Sequence, residues 1–324
     1  NASEGSIWKG SLRYYGLGPT ISLNATYGGS QNIYPIYFYN TESHNFELPL
    51  PPNRGKYYSF GVDISFPLLF QRGYHTRQLV AAMGWDYSNG LVANIGKLSF
   101  NNGISNIATI GYKEGLHLTS FTIGFQDVVR QAHRDFAPPW GFAAQAAYAI
   151  NPTNNSFSDL LVLYSKIFTP GFFAHNSLTL AMVYQTSIGG FQSQDALSAL
   201  TFKSSMMLLR GFNASQIENR NYTAASLNYQ FPICYPDGGI PGILYFKRIR
   251  LNIGADVARY QRTALDQQSG IFYRWHNINS FGGDIIFDVN VFKQPAAATS
   301  AFKLSFYRPS EGRFFISAGV ELPF

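Results

Sequence analysis

Residues 314–324 read Phe314-Phe315-Ile316-Ser317-Ala318-Gly319-Val320-Glu321-Leu322-Pro323-Phe324, and the spacing within this stretch decides the fold. Phe314, Ile316, Ala318, Val320, Leu322 and Phe324 fall on one parity, while Ser317, Gly319 and Glu321 fall on the other. Successive side chains of an extended chain point to opposite faces, so this pattern predicts a strand with one apolar and one polar side.

The same dyad recurs upstream. Phe302, Leu304 and Phe306 alternate with Lys303, Ser305 and Tyr307, and Ile285, Phe287, Val289 and Val291 with Asp284, Ile286, Asp288 and Asn290. Ile249, Leu251, Ile253 and Val257 oppose Arg250, Asn252 and Asp256, and Leu227, Tyr229 and Phe231 oppose Ser226, Asn228 and Gln230, so five strands are predicted after residue 220. Earlier, the pattern returns over 58–66, 79–86, 120–126 and 178–185, with weaker candidates at 18–28, 32–40, 92–99, 104–113, 141–150, 159–168 and 199–208. Together these predict about sixteen strands of membrane-spanning length. Clusters of Gly, Pro, Asn and Ser at 40–55, 151–155, 189–194 and 236–242 separate them as turns or loops.

Composition says what covers the apolar faces. The chain is 46% hydrophobic and 16% aromatic but only 13% charged, against about a quarter charged for an ordinary soluble domain. A soluble β-sandwich also alternates, but it carries charge on its outer faces; here the polar face is mostly Ser, Thr, Asn, Gly and Gln. No run of about 18 uncharged apolar residues is present, which leaves no spanning helix. Strands closed on themselves are the other way to satisfy backbone hydrogen bonds in lipid, and their alternation accounts for a mean hydropathy of −0.08. The fold predicted is therefore all-β: a transmembrane antiparallel up-and-down β-barrel. Residues 17–324 form it, and residues 1–16 read as a lead-in or the residue of an upstream module.

Other function classes find little support. A formal charge of +6 is spread without any Lys or Arg run, so nucleic acid is not an expected partner. The single Cys234 excludes an intrachain disulfide and reads as a small buried hydrophobe. The six histidines show no metal-ligand spacing, so no metal and no cofactor are expected. His133-Arg134-Asp135 matches a kinase tripeptide, but it lacks a glycine-rich loop and a helical scaffold, and no Gly-x-Ser-x-Gly elbow occurs. The expectation is that the chain is not an enzyme. Residues 1–10 have neither the basic start nor the apolar core of a secretion signal, so the sequence reads as mature or excised.

Leu209-Arg210-Gly211-Phe212 lies in a polar stretch before the strand that ends Asn228-Tyr229-Gln230-Phe231-Pro232-Ile233. With the five strands that follow, the Ser280-Phe281-Gly282-Gly283 strand entry and the terminal Phe324, residues 209–324 resemble the BamA-like superfamily of barrel-assembly and polypeptide-translocation proteins. That family carries an Arg-Gly-Phe or Arg-Gly-Tyr motif in its sixth extracellular loop. Gln230 stands where the family often has Arg, and Asp256 lacks the Gly that usually follows.

The resemblance implies that Leu209, Arg210, Gly211 and Phe212 fold inward as a plug. A barrel of about sixteen strands encloses more space than wall side chains fill, so an inward loop has room. By parity Asp256 and Asp284 point inward, and the resemblance places the partner of Arg210 on their strands; either carboxylate could take its charge-assisted bonds. Gly211 would let the tip turn tightly, and Phe212 would pack in the lumen. The resemblance also makes the last strand, with Phe314, Ile316, Val320, Leu322 and Phe324, an insertion signal and one side of a seam with 18–28. The function implied is insertion of outer-membrane proteins, or passage of polypeptide across the outer membrane. Expected partners are outer-membrane lipid and lipopolysaccharide, client polypeptides, and periplasmic or lipoprotein subunits. The alternatives are a solute channel, selective through luminal Asp63, Asp86, Arg250 and Lys303, or a barrel that anchors or exports a fused domain.

Overall fold

The computed structural model describes residues 7–16, 18–30, 38–40, 45–47, 56–88, 99–101, 104–106, 116–132, 135–153, 159–188, 209–212, 221–240, 243–266, 270–291 and 300–321. Among them there are strands and turns and no helix. The strands are β1 Ile7–Tyr14, β2 Thr20–Ser30, β3 Phe38–Asn40, β4 Asn45–Glu47, β5 Lys56–Arg72, β6 His75–Ser88, β7 Ser99–Asn101, β8 Ile104–Asn106 and β9 Leu116–Val129. There follow β10 Gly141–Ile150, β11 Asp159–Pro170, β12 Ser177–Ile188, β13 Tyr222–Cys234, β14 Gly238–Ile240, β15 Leu244–Asp266, β16 Gly270–Val291, β17 Ser300–Pro309 and β18 Phe315–Glu321.

Fourteen strands form one antiparallel sheet in the order β1-β2-β5-β6-β9-β10-β11-β12-β13-β15-β16-β17-β18, with β14 pairing only β15. Each strand lies beside its predecessor, an up-and-down meander. The remaining strands make two separate hairpins, β3-β4 and β7-β8. Along the main path every neighbour is antiparallel, so β1 and β18, the first and thirteenth strands, run in the same sense.

All five strands predicted after residue 220 are present, and 58–66, 79–86, 120–126 and 178–185 lie inside β5, β6, β9 and β12. Three readings differ. Ile7–Tyr14, assigned to a lead-in, pairs with β2 from Ile7↔Gly28 to Tyr14↔Ile21. Its Trp8, Leu12 and Tyr14 against Lys9, Ser11 and Arg13 are a short copy of the same dyad. The candidates at 32–40, 92–99 and 104–113 add no strand to the main sheet, because β2 pairs directly with β5 and β6 with β9. Their described parts form only the two small hairpins, and 199–208 lies outside the described residues. The main sheet thus holds fourteen strands where about sixteen are predicted.

Burial inverts that of a soluble sandwich. On one face Phe60, Ile64, Met83, Phe121, Ile123, Leu227, Ile253, Val257, Phe281 and Phe302 are exposed. On the other, Ser226, Asn252, Asp256, Ser280, Asp284 and Ser305 are buried. Register keeps these faces aligned from strand to strand: Ser226 lies beside Asp256, Asp256 beside Ser280, and Asn252 beside Asp284.

The polar face is the concave one, and residues 209–212 cover it. Leu209 and Phe212 share a buried cluster with Val183 of β12, Tyr222 and Ala224 of β13, Ala258 and Tyr260 of β15, and Ile278 of β16, and Tyr164 of β11 packs against it. A Cβ on Gly211 would lie 3.5 Å from Pro309 and Phe315 at the β17–β18 turn. Laid flat, the path from β11 to β18 would measure about 29 Å at the usual strand spacing, whereas four extended residues reach about 14 Å. Only a strongly curved sheet brings those strands around one tetrapeptide.

Candidate functional site

Leu209, Arg210, Gly211 and Phe212 form a tight turn closed by Phe212 N–H donating to the Leu209 carbonyl at 3.2 Å. Gly211 has φ of 85°, in the left-handed region where a Cβ is disfavoured. The two apolar side chains join the buried cluster and the arginine lies against the concave face of the sheet. Downstream of the loop, Asn221 fastens the chain again. Its Oδ1 accepts from Thr186 Oγ1 at 2.8 Å and Ser187 N–H at 3.2 Å, and its Nδ2 donates to Gln261 Oε1 at 2.5 Å.

Arg210 and Asp256 form a two-pronged ion pair. Nε donates to Asp256 Oδ2 at 2.7 Å, Nη2 donates to Oδ1, and the Arg210 backbone N–H adds a third bond to Oδ2 at 3.1 Å. Nη1 donates to Asn228 Oδ1 at 2.6 Å and to the Tyr307 hydroxyl at 2.9 Å, and Nη2 also reaches Ser226 Oγ at 3.1 Å. The guanidinium carbon lies 4.7 Å from the centre of the Tyr307 ring, so the cation also meets a π face. The fork geometry of arginine suits this many acceptors; a lysine ammonium could not reproduce the paired bonds.

Of the two carboxylates expected for Arg210, Asp256 makes the direct contact. Asp284 stands one layer back: Tyr307 accepts from Arg210 and donates to Asp284 Oδ2 at 2.8 Å. Asn252 Nδ2 donates to the same oxygen at 2.8 Å, and Lys303 Nζ lies 3.9 Å from it. Asp256 and Asp284 are 3% and 1% exposed, so each depends on its protein partners rather than on water. Burial alone would lower the pKa of Arg210; the hydrogen bonds and charge of Asp256, helped by Tyr307 and Asp284, outweigh it and raise the value. The arginine therefore stays charged wherever the protein is folded.

Space for the guanidinium comes from Gly254, two residues before Asp256 on the same face of β15. A Cβ there would lie 2.3 Å from Arg210 Nη1. Gly254, Ser226, Asn228 and Tyr307 are not among the site residues that the sequence predicts. Their inward parity was legible, but which inward residues stand beside Arg210 depends on register between strands far apart in the chain.

Of the last-strand residues, Phe314 precedes β18, and Ile316 and Val320 lie on it; all three are exposed on the convex side, while Leu322 and Phe324 lie outside the described residues. Asp63 and Asp86 sit on the concave face diagonally across the β5–β6 pair, where Asp63 accepts from Asn24 Nδ2 at 3.0 Å. Arg250 lies on β15, paired with Asp288. His133 and Arg134 fall outside the described residues. Cys234, expected to be buried, is exposed, because it lies at the last position of β13, past a register shift. Among the described residues no three His, Cys, Asp or Glu gather as metal ligands. No model of a known protein family matches the chain, and no curated protein matches it significantly.

Proposed function

We propose that the sheet is the transmembrane β-barrel of a BamA-like outer-membrane protein, and that it helps insert other barrels or passes polypeptide across the outer membrane. The observation that carries this reading is the Arg210 tie: a loop tetrapeptide drawn onto the inner wall and held there by a bidentate Asp256. Exposed aromatic and aliphatic side chains on the convex face, over buried polar ones, are what a wall between hydrocarbon and an aqueous interior requires. The mechanism is mechanical, and the work lies in strand edges and an internal plug rather than in bond chemistry.

Strand sense constrains how such a barrel closes. Because β1 and β18 run the same way, a closed cylinder needs either a parallel β1–β18 pair or an odd number of oppositely directed strands between them. A seam built this way leaves backbone donors and acceptors that a client strand can pair with.

The test is reconstitution in lipid vesicles with an unfolded outer-membrane client. Client insertion faster than in empty vesicles, and slowed by Arg210→Ala, is the expected result. Steady ion-selective currents with no effect on the client would instead support the solute-channel alternative.

A further inference from the structure

We infer that residues 135–140, in the turn between β9 and β10, form a second closure of the lumen, at the end opposite the Arg210 loop. The inference rests on the barrel reading above. Two ends can be told apart by their connections: 31–55, 89–115 and 189–221 are long, whereas 73–74 and 171–176 are short turns at the same end as 130–140.

Phe136 carries the argument. Its ring centre lies 4.6 Å from the guanidinium carbon of Arg248 and 5.7 Å from that of Arg250, both on the concave face of β15. Three strands, β11, β12 and β13, stand between β10 and β15 in the sheet, a separation of about 19 Å along a flat sheet. The turn reaches β15 only by crossing the concave side, over the mouth that those strands surround.

Both ends of this crossing are held. Arg248 Nε and Arg250 Nε bond to the carboxylate of Asp288, which is 3% exposed, and Arg250 Nη1 donates to Gln230 Oε1 at 3.3 Å. Two cations fixed on one carboxylate lie over the same ring, and a cation over a π face favours an aromatic over an aliphatic occupant. On the turn, Asp135 takes Ala132 N–H at 2.9 Å and lies 3.2 Å from His175 Nδ1 in the next turn at that end. Pro138-Pro139 follows, with both backbone angles φ restricted, and Trp140 carbonyl accepts from Val129 N–H at 2.9 Å. Arg250 precedes Asp256 by six strand residues, about 20 Å along β15, so this tie and the Arg210 tie block different levels of the interior.

The test is the planar-bilayer conductance of the detergent-folded chain, unaltered and with Arg210→Ala, each with and without Phe136→Ala. Loss of the ring is expected to raise conductance several-fold over its parent, most clearly once the Arg210 tie is also released. Phe136→Tyr should keep the parent's conductance, and Arg248→Gln with Arg250→Gln should reproduce Phe136→Ala from the other side of the contact. Equal conductance of Phe136→Ala and its parent in proteins that insert overturns the closure and leaves the barrel reading standing; where Arg210→Ala does not insert, the unaltered background decides in the same way. Failure of the unaltered chain to enter lipid at all removes the barrel reading, and this inference with it.

Discussion

Gly254 and Arg210 occupy one volume between them: a methyl group on the glycine would lie 2.3 Å from the arginine Nη1. The concave face therefore has a notch cut to the guanidinium, and Gly254→Ala should push Arg210 off Asp256. The cost expected is about 1–3 kcal/mol, the range for forcing extra volume into a packed site. It should appear as a lower urea midpoint for the folded chain and faster proteolysis within 189–221. Gly124→Ala, on the concave face of β9, would bring a Cβ no nearer than 3.8 Å to any neighbour and serves as the comparison.

The ion pair should be strongly non-additive. Arg210→Ala leaves Asp256, 3% exposed, without its cation, and Asp256→Ala strands the cation; each should cost about 3–5 kcal/mol, as for other buried pairs broken on one side. The double replacement should cost clearly less than the two together. Additive losses in equilibrium unfolding would mean that the two side chains do not depend on each other.

Tyr307 links Asp284 to the arginine through one hydroxyl. Tyr307→Phe removes an acceptor from Arg210 and a donor from Asp284, and should cost about 1–3 kcal/mol while keeping the ring under the guanidinium. Tyr307→Leu, which also loses the π face, should cost more. If the phenylalanine variant unfolds at the same denaturant concentration as the parent, the hydroxyl contributes nothing to the tie.

Outward and inward positions should respond oppositely to charge. Ile253→Arg and Phe281→Arg, on the exposed convex face, should each cost about 2–4 kcal/mol of folding in lipid near the bilayer midplane. Gln145→Arg, exposed on the concave face beside Tyr164, should be tolerated. The check is the urea dependence of folding into vesicles; an outward arginine that folds as well as the parent would argue that lipid does not cover this face.

Period-two spacing made much of this legible in advance. Each strand with four or more alternating apolar residues, such as 58–66 in β5 or 285–291 in β16, lies in the main sheet. Where alternation ran only a few residues, as at 32–40 and 104–113, local pattern could not say whether a neighbour stood alongside. Ile7–Tyr14 is illegible for the same reason: Gly10 interrupts its apolar parity, and only pairing with β2 makes it a strand.

The amino-acid sequence alone determined which side chains share a face, because an extended backbone alternates them whatever lies nearby; Asp256 and Asp284 point inward on that ground. It could not decide which of them receives Arg210, or that Tyr307, Asn228 and Gly254 complete the cradle. Those residues come from β13, β15 and β17, and their meeting depends on inter-strand register and on a curvature that wraps the wall around the loop. Register and curvature are set by all the strands at once, so tertiary structure alone assigns the partners.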